Sequence, residues 1–398
     1  MSSLLYRHQF RQLTQILTQF QWLWRPIPME HTQLPWQNAE PLCQWLATLE
    51  NTQMAALKAH PDAVIETLAT WWPALAQLTD LTTVPIANHV TVNINARLGV
   101  GVPGRKWAQI QAYLSAMPKR DSTVRYLEWC AGKGYLGRGI TAATGKPVES
   151  LEWQAALCEQ GQLFAEQKAL PMQFHPLDAM SEEAAAVIAG CDHGLALHAC
   201  GDLHVQLLKK AIATDMQAIT VSPCCYQLIS GERYQPLSSE AQHASLVLSK
   251  ADLKLAVQEA VTGGRRVCRQ REQEVTYRLG FDEWQRDWQG SDQYLPLPAL
   301  KKSQLTHGFG EFCRWGAEQK GLILPADFDE AEYHTRGQAR FVILEQMNVV
   351  KSAFRRAMEY WLVLDRVLFL QQHGYRVTLT QFCDRQLTPR NLLIHAEK

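Results

Sequence analysis

The sequence predicts an α/β protein in which helices cover both faces of a mostly parallel sheet, with an α-helical region before it. Two observations point to this fold class. From about residue 95, short apolar runs alternate with helical stretches, which is the pattern of parallel strands joined by crossover helices. The chain also finishes with two strand-like segments joined by a turn, and strands joined in this way run antiparallel.

Residues 1–94 are expected to form an α-helical accessory domain. Tryptophans are concentrated there, at Trp22, Trp24, Trp36, Trp45, Trp71 and Trp72. A tryptophan-rich helical module is ordinarily a small hydrophobic core. A dedicated binding surface is the alternative interpretation.

Residues 95–398 are predicted to be a catalytic domain with a seven-stranded sheet. Five strands are expected first, at 124–129, 147–152, 172–175, 194–198 and 218–222. A long helix is expected between Met347 and Leu368, because apolar residues recur there close to every 3.6 positions. Two closing strands, at 375–382 and 391–395, complete the sheet.

Residues 226–340 are too long for a single crossover connection and are interpreted as a helical insertion after the fifth strand. Doubly wound sheets bind ligands outside the carboxyl ends of their strands. Because the insertion starts at such an end, we expect it to cover the ligand crevice as a cap or a substrate-recognition segment.

Composition excludes several classes of protein. Lysine plus arginine equals aspartate plus glutamate at 39 each, so any nucleic-acid surface must be a local patch. The ten cysteines include no Cys-x-x-Cys pair, which argues against zinc fingers. Charged residues interrupt every apolar run well before a membrane span of about 18 residues is reached. We therefore expect a cytoplasmic protein that does not bind membranes.

The segment RYLEWCAGKGYLG, residues 125–137, predicts a turn that binds a ligand. A glycine-rich turn between a strand and a helix lets the backbone approach a bound molecule and directs helix N-terminal N–H groups at it. The glycines are Gly132, Gly134 and Gly137, and their spacing also fits the dinucleotide fingerprint. The turn alone therefore suits either NAD or S-adenosylmethionine.

Acidic residues at three successive strand ends favour S-adenosylmethionine. Glu128 is expected to hold the cationic methionine end, because the same strand is normally apolar throughout in dehydrogenases. Glu152 can accept hydrogen bonds from both ribose hydroxyls, and Asp178 can bind the adenine amino group. The complete predicted donor site is Lys106, Glu128, Cys130, Gly132, Gly134, Gly137, Glu152, Asp178 and His198.

Reactive side chains follow the fourth and fifth strands, in LHACGDLH (197–204) and VSPCCYQL (221–228). The first, fourth and fifth strands are neighbours in a doubly wound sheet, so these side chains should line one crevice. The set is Cys130, His198, Cys200, Asp202, His204, Cys224, Cys225 and Tyr226.

Three interpretations of this crevice remain open. In the first, it aligns a methyl acceptor and takes its proton; the catalytic candidates are His198, Asp202, Cys224, Cys225 and Tyr226, with His204 as a further possible base. In the second, thiolates bind a metal ion, with Cys130, Cys200, Cys224 and Cys225 as ligands. In the third, the cysteines are small packing residues. The sequence analysis predicts no metal ion.

A local basic run lies in the insertion and suits phosphate contacts. It comprises Arg265, Arg266, Arg269, Arg271 and Arg278, of which the first three are the substrate-binding candidates. A solvated, ion-paired helix face is the alternative.

Several segments of the chain resemble the methyltransferase domain 32 family. They are VPGRKWAQI, LEWCAGKGYLGR, LHACGDLH, SPCCYQL and the closing segment at residues 364–394. The resemblance covers roughly residues 95–398 and implies a class I, Rossmann-like methyltransferase fold. His198, Cys200, Gly201, Cys224 and Cys225 are also similar to residues of a eukaryotic tRNA 2′-O-methyltransferase family. That family has two histidines where this sequence has Tyr226 and Gln227.

The predicted function is therefore S-adenosylmethionine-dependent methylation, with ribosomal or transfer RNA as the acceptor. A protein acceptor is the runner-up. A methyltransferase-fold binding protein without turnover and an NAD-dependent oxidoreductase are the remaining alternatives.

Overall fold

The structure, a computed structural model, describes residues 3–92, 94–118, 125–258 and 265–398. It divides into two compact units. Unit 1 comprises residues 1–18, 80–258 and 356–398, and unit 2 comprises residues 19–79 and 259–355.

The sheet lies in unit 1 and has the strands that the sequence predicts. They are β1 (Tyr126–Trp129), β2 (Val148–Glu152), β3 (Met172–Pro176), β4 (His193–Cys200), β5 (Ala218–Cys224), β6 (Arg376–Gln381) and β7 (Leu392–Glu397). The order across the sheet is β3-β2-β1-β4-β5-β7-β6. β1 to β5 run parallel, and β7 pairs antiparallel with both β5 and β6. The predicted antiparallel ending is confirmed; residue 124 lies outside the described residues.

Helices account for most of the remaining regular structure in both units. In chain order they are α1 (Ser3–Gln19), α2 (Gln21–Trp24), α3 (Glu40–Ala47), α4 (Asn51–Ala59), α5 (Pro61–Ala69), α6 (Gln77–Leu81), α7 (Gly104–Ala116), α8 (Tyr135–Thr144), α9 (Ala155–Gln167), α10 (Ala184–Ala189), α11 (Asp202–Ala213), α12 (Ser239–Gln242), α13 (Lys250–Leu253), α14 (Arg265–Gln289), α15 (Phe309–Lys320) and α16 (Glu330–Gln372). Within the part of the chain that the structure describes, no helix combines the length and apolarity needed to cross a bilayer.

The core of unit 1 forms where α7 and α8 pack on the sheet. Its buried side chains include Ile110, Tyr113, Leu114, Ile140, Val148 and Leu195. Gly139 permits this packing, because a Cβ there would lie 2.4 Å from Leu114 Cδ1. The Tyr113 hydroxyl donates a hydrogen bond of 2.6 Å to the Thr220 carbonyl oxygen, which fixes α7 over β5.

The second half of α16 is buried in unit 1 although it carries charged residues. Asp365 accepts hydrogen bonds from the Tyr234 hydroxyl and from the backbone of Leu237 and Ser238, at 2.5–2.9 Å. Arg366 Nε donates to His204 Nε2 at 2.8 Å. Buried charges need partners of this kind to offset the loss of hydration. The apolar run around these two residues is therefore the buried helix that the sequence predicts.

Unit 2 joins most of the N-terminal helical region to part of the predicted insertion. Arg340 donates to the Met29 carbonyl oxygen at 2.8 Å, and Gln346 donates to the Leu46 carbonyl oxygen at 2.9 Å. An aromatic cluster on α14 and α15, which includes Tyr277, Phe281, Trp284, Phe309 and Phe312, forms a second core. The boundaries predicted at residues 94 and 226–340 therefore do not coincide with the boundaries of the compact units.

Candidate active site

Glu152, at the end of β2, accepts a hydrogen bond from the glycine turn after β1. The Gly132 N–H donates to Glu152 Oε2 at 2.9 Å, and the Gln154 N–H donates to Oε1 at 3.0 Å. Each carboxylate oxygen has two lone pairs, so both oxygens can still accept a ribose hydroxyl. The structure thus places Glu152 beside the turn, as the prediction for a ribose ligand requires.

Two of the glycines have backbone conformations that other residues adopt with difficulty. Gly132 and Gly134 have φ angles of +60° and +72°, in the left-handed region. A Cβ on Gly134 would also lie 2.4 Å from Phe174 Cζ, whereas the space around Gly132 is open. The turn therefore offers an unobstructed backbone surface on which a ligand can lie.

Glu128 lies beneath the turn. Its side chain is buried, and it accepts hydrogen bonds from the Leu136 N–H at 3.1 Å and from the Ser150 hydroxyl at 2.8 Å. Burial raises the pKa of this carboxyl group to about 7, against the opposing effect of hydrogen bonds from Gly137, Ser150 and Leu136. Glu128 thus caps the start of α8 from inside. Its predicted contact with the methionine end of the donor stays a prediction.

Three exposed residues surround the turn. Asp178 follows β3, and its Oδ1 accepts a hydrogen bond of 2.9 Å from the Met180 N–H. The Lys106 ammonium lies 5.0 Å from the centre of the Tyr135 ring, at the start of α8. Trp153 is 70% exposed and directly follows Glu152, where its indole could stack on an adenine ring. Trp153 was not among the residues predicted from the sequence, although it directly follows Glu152.

The ends of β1, β4 and β5 share an unusual backbone conformation. Cys130, His198 and Cys225 have φ angles of +56°, +70° and +47°. Such left-handed residues cost about 1–3 kcal/mol each and cluster at functional sites. Among the described residues other than glycine, only Ala169 and Asp215 also have positive φ. No sequence signal indicated this strain at Cys130 and Cys225, because cysteine does not favour the left-handed region as glycine, asparagine and histidine do.

The end of β4 brings two thiols together. The β4–β5 pairing shifts register between Leu197 and Cys200, after which Cys200 pairs with Cys224. Their sulfurs are 3.4 Å apart. Gly201 permits the close approach of the loop after β5, because a Cβ there would lie 1.9 Å from the Leu228 carbonyl oxygen.

Cys225 completes a group of three thiols. The sulfurs of Cys200, Cys224 and Cys225 all lie within 4.8 Å of one another. Hydrogen bonds from Cys200 and Cys224 lower the pKa of the Cys225 thiol, and the positive charge of Arg390 lowers it further. The same hydrogen bonds, together with burial, raise the pKa of Cys224. Cys225 is therefore the thiol of this group that loses its proton most readily.

Cys130 lies outside this group, although it is close enough to interact electrostatically with Cys200. Burial raises the pKa of its thiol to about 12, and the nearby Glu152 adds to the effect. At neutral pH Cys130 is therefore an uncharged thiol beside the donor turn.

His198 is the exposed base candidate among these residues. Desolvation by the surrounding loops lowers the pKa of its imidazole below the usual range, and the positive charge of Lys106 lowers it further. The ring is therefore neutral at pH 7 and able to accept a proton. Asp202 is half-buried, and its Oδ2 accepts a hydrogen bond of 2.8 Å from the Ser230 N–H in the loop after β5.

His204 and Tyr226 do not line the crevice, contrary to the sequence-based expectation. Their exposed fractions are 0% and 1%. His204 accepts from Arg366 and lies against the Ala199 carbonyl oxygen at 3.2 Å, and the Tyr226 ring packs edge-on against the His204 ring. Arg366 of α16, far away in sequence, draws both side chains inward, so neither can contact an acceptor.

The basic run lies on α14 in unit 2. Arg265 begins the helix, and its side chain lies outside the described residues. Arg266, Arg269 and Arg271 are exposed. Arg278 instead pairs with Glu274 at 2.8 Å and donates to the Leu297 and Pro298 carbonyl oxygens, so it stabilises unit 2.

The sheet order, the antiparallel β7 and the glycine turn beside Glu152 together define a class I methyltransferase fold. Consistent with this, residues 105–232, about a third of the chain, match the family model Methyltransf_32, described as a methyltransferase domain. The protein therefore carries a methyltransferase domain, an enzyme domain whose methyl donor is S-adenosylmethionine.

The residues present fit this donor. The left-handed Gly132 leaves open space beside the turn, and Glu152 retains acceptor capacity for ribose hydroxyls. When bound, S-adenosylmethionine supplies an electrophilic methyl group.

Solved structures with similar regions include methyltransferases. One is the N-terminal domain of EvdMO1 with SAH bound, at 16% identity and a TM-score of 0.25, over 34% of this chain and 59% of that one. The bifunctional kinase-methyltransferase WbdD aligns at 12% identity and a TM-score of 0.21, over 34% of this chain and 32% of that one. A putative caffeoyl-CoA O-methyltransferase from Staphylococcus aureus aligns at 9% identity and a TM-score of 0.28, over 85% of this chain and all of that one. At such scores these likenesses say nothing about the substrate.

Proposed function

We propose that this protein transfers a methyl group from S-adenosylmethionine to RNA, with ribosomal or transfer RNA as the acceptor. The observation that carries the choice of RNA is the basic start of α14. Arg266 and Arg269 are exposed and stand three positions apart, on one face of the helix. Among the described residues neither has an ion-pair partner. Guanidinium groups in this arrangement suit phosphate contacts.

The strand-end residues support a simple route for methyl transfer. When bound, S-adenosylmethionine would supply its sulfonium methyl group to an oxygen or nitrogen of the acceptor, with S-adenosylhomocysteine as the leaving group. The acceptor also releases a proton, and His198 is the group that we assign to receive it, because its imidazole is exposed and neutral. Glu152 and the glycine turn hold the donor in place for this step.

The acceptor class is tested with S-adenosylmethionine that carries a tritiated methyl group. Purified protein is incubated with cell extract, and the labelled products are then treated separately with ribonuclease and with protease. We expect the macromolecular label to disappear after ribonuclease and to survive protease.

The control for this assay is Glu152→Ala, which removes the ribose contacts and should abolish labelling. Label that survives ribonuclease and is lost after protease would overturn the RNA proposal in favour of a protein acceptor. If the wild-type protein binds the donor but labels neither fraction, the protein is a binding protein with this fold.

A further inference from the structure

We propose that Cys200, Cys224 and Cys225 bind one soft divalent metal ion, Zn²⁺, at the carboxyl ends of β4 and β5. The proposal is independent of the acceptor, because it concerns only these three side chains. It revives one of the interpretations that the sequence left open, with a smaller set of ligands. Cys130, the fourth cysteine of that interpretation, lies outside the group.

The spacing of the sulfurs matches what zinc requires. With zinc–sulfur bonds of about 2.3 Å, tetrahedral geometry places ligand sulfurs about 3.8 Å apart. The Cys200 and Cys224 sulfurs are 3.4 Å apart, and no pair in the group exceeds 4.8 Å. Changes of at most about 1 Å in these distances, within the reach of side-chain rotation, would bring all three pairs to the tetrahedral value.

The backbone is arranged so that adjacent cysteines converge. In an extended strand, successive side chains point to opposite faces of the sheet, so Cys224 and Cys225 would diverge. The left-handed conformation of Cys225 turns its sulfur towards the other two. The register shift before Cys200 aligns that residue with Cys224 in the same way. Packing alone does not explain this convergence, because a small buried cysteine needs no strained backbone.

A nearby positive charge can offset the net charge of a zinc ion bound by three thiolates. Three thiolates and one Zn²⁺ carry a net charge of −1. The Arg390 guanidinium is near enough to Cys225 to interact with it electrostatically and would offset that charge. His198 also interacts electrostatically with Cys225 but is not one of the three grouped ligands. Zinc sites with three protein ligands and a fourth position for water are typical of catalytic centres.

The proposal is tested by metal analysis of the full-length protein under reducing conditions. After chelator treatment, the protein is loaded with Zn²⁺, passed through a desalting column and analysed by mass spectrometry for metal content. We expect one zinc per chain. Replacement by Co²⁺ should give the near-ultraviolet sulfur-to-cobalt charge-transfer bands of thiolate coordination.

Matched serine variants identify the ligands. Cys224→Ser and Cys225→Ser should lower the zinc affinity by more than about tenfold and weaken the charge-transfer bands. Cys191→Ser and Cys383→Ser change a buried and a half-buried cysteine outside the group. These variants should leave the zinc affinity and the charge-transfer bands unchanged. Circular dichroism establishes that each variant is folded.

Three outcomes would overturn the proposal. The first is a reduced, folded protein that retains less than about a tenth of a zinc ion per chain after loading. The second is equal zinc binding by the Cys224→Ser and Cys225→Ser variants, which would place the ion elsewhere. The third is a protein whose thiols are joined by a Cys200–Cys224 disulfide and bind no metal after reduction. None of these outcomes bears on the methyl-transfer assay.

Discussion

At the scale of the residue, Glu128 shows how a buried carboxyl group links pH to stability. Its pKa is about 4.5 in the unfolded chain and is raised to about 7 in the folded protein. Between pH 4.5 and pH 7, the native state therefore binds more protons than the unfolded state. The contribution of Glu128 to the unfolding free energy therefore falls as pH rises through this window. The shift corresponds to a loss on the order of 3 kcal/mol.

The first prediction compares the wild type with Glu128→Gln, which keeps the size of the side chain but cannot titrate. As pH rises from 5 to 8, we expect the unfolding free energy of the wild type to fall relative to that of the variant. Urea denaturation measures both values. Glu166→Gln, at an exposed carboxylate, should show no such trend. A difference that is independent of pH for Glu128→Gln would contradict the raised pKa.

The second prediction concerns His198 as the proton acceptor. Because the pKa of this imidazole is lowered, methyl transfer should be fully active at pH 7 and should decline only below about pH 6.5. His198→Gln should reduce the single-turnover rate by about 10²–10⁴-fold and remove this acidic limb. His243→Gln, an exposed histidine outside the site, is the control. A variant that keeps the wild-type pH profile would exclude His198 as the base.

Individual residues were predicted with mixed success, and the reason is physical. Glu152 lies at the end of β2, where the sequence predicted a strand end, and beside the glycine turn; its contact with a ribose stays a prediction. His204 and Tyr226 were placed wrongly, because their surroundings depend on Arg366, more than 100 residues later in the chain. A local pattern contains no information about such a partner.

At the scale of the element, the turn between β1 and α8 depends on both the conformation and the spacing of its glycines. Gly134 and Gly145 stand at the two ends of α8, with φ angles of +72° and +68°. A Cβ on Gly134 would overlap Phe174, whereas the space around Gly145 is open. A side chain at Gly145 would therefore add backbone strain alone, whereas a side chain at Gly134 would add both strain and steric overlap.

The third prediction uses this pair. Gly145→Ala should cost about 1 kcal/mol of stability through strain alone. Gly134→Ala should cost about 1–3 kcal/mol more because of the overlap, and should also lose affinity for S-adenosylmethionine. Urea denaturation and calorimetric titration of the donor measure the two effects. Equal losses in both variants would mean that the contact with Phe174 is relieved without cost.

The strands were predictable because most are short apolar runs and β6 alternates between apolar and polar residues, and the antiparallel ending followed from a single turn. The division into compact units could not be predicted, because α1 belongs with residues 356–398, whereas α2 to α5 belong with residues 259–355. Helix amphipathicity shows that a face will be buried, but it does not identify the surface that buries it.

At the scale of the whole molecule, the neutral overall charge conceals a local basic surface. The fourth prediction is that Arg266→Glu with Arg269→Glu weakens RNA binding and reduces its dependence on salt. Loss of two phosphate contacts should lower the slope of log affinity against log salt concentration by about 1.4 for single-stranded RNA. Fluorescence anisotropy at several salt concentrations measures this slope.

The matched control for this double variant reverses two charges on α15 of the same unit, with Arg314→Glu and Lys320→Glu. It should leave the salt slope unchanged, although it alters the total charge by the same amount. If both double variants weaken binding equally, the effect comes from overall charge, and the basic start of α14 is not an RNA surface.

The place of β7 in the sheet sets the order in which the molecule can be completed during synthesis. β7 is the seventh strand along the chain, yet it lies between β5 and β6. Until residues 392–397 leave the ribosome, the edge of β5 that carries Thr220 and Val221 has no backbone partner. Through all of the intervening synthesis, the nascent chain therefore exposes an apolar strand edge, which is a hazard for aggregation. We expect aggregation of the nascent chain to be limited only if another segment or a chaperone covers the free edge of β5 until β7 pairs with it.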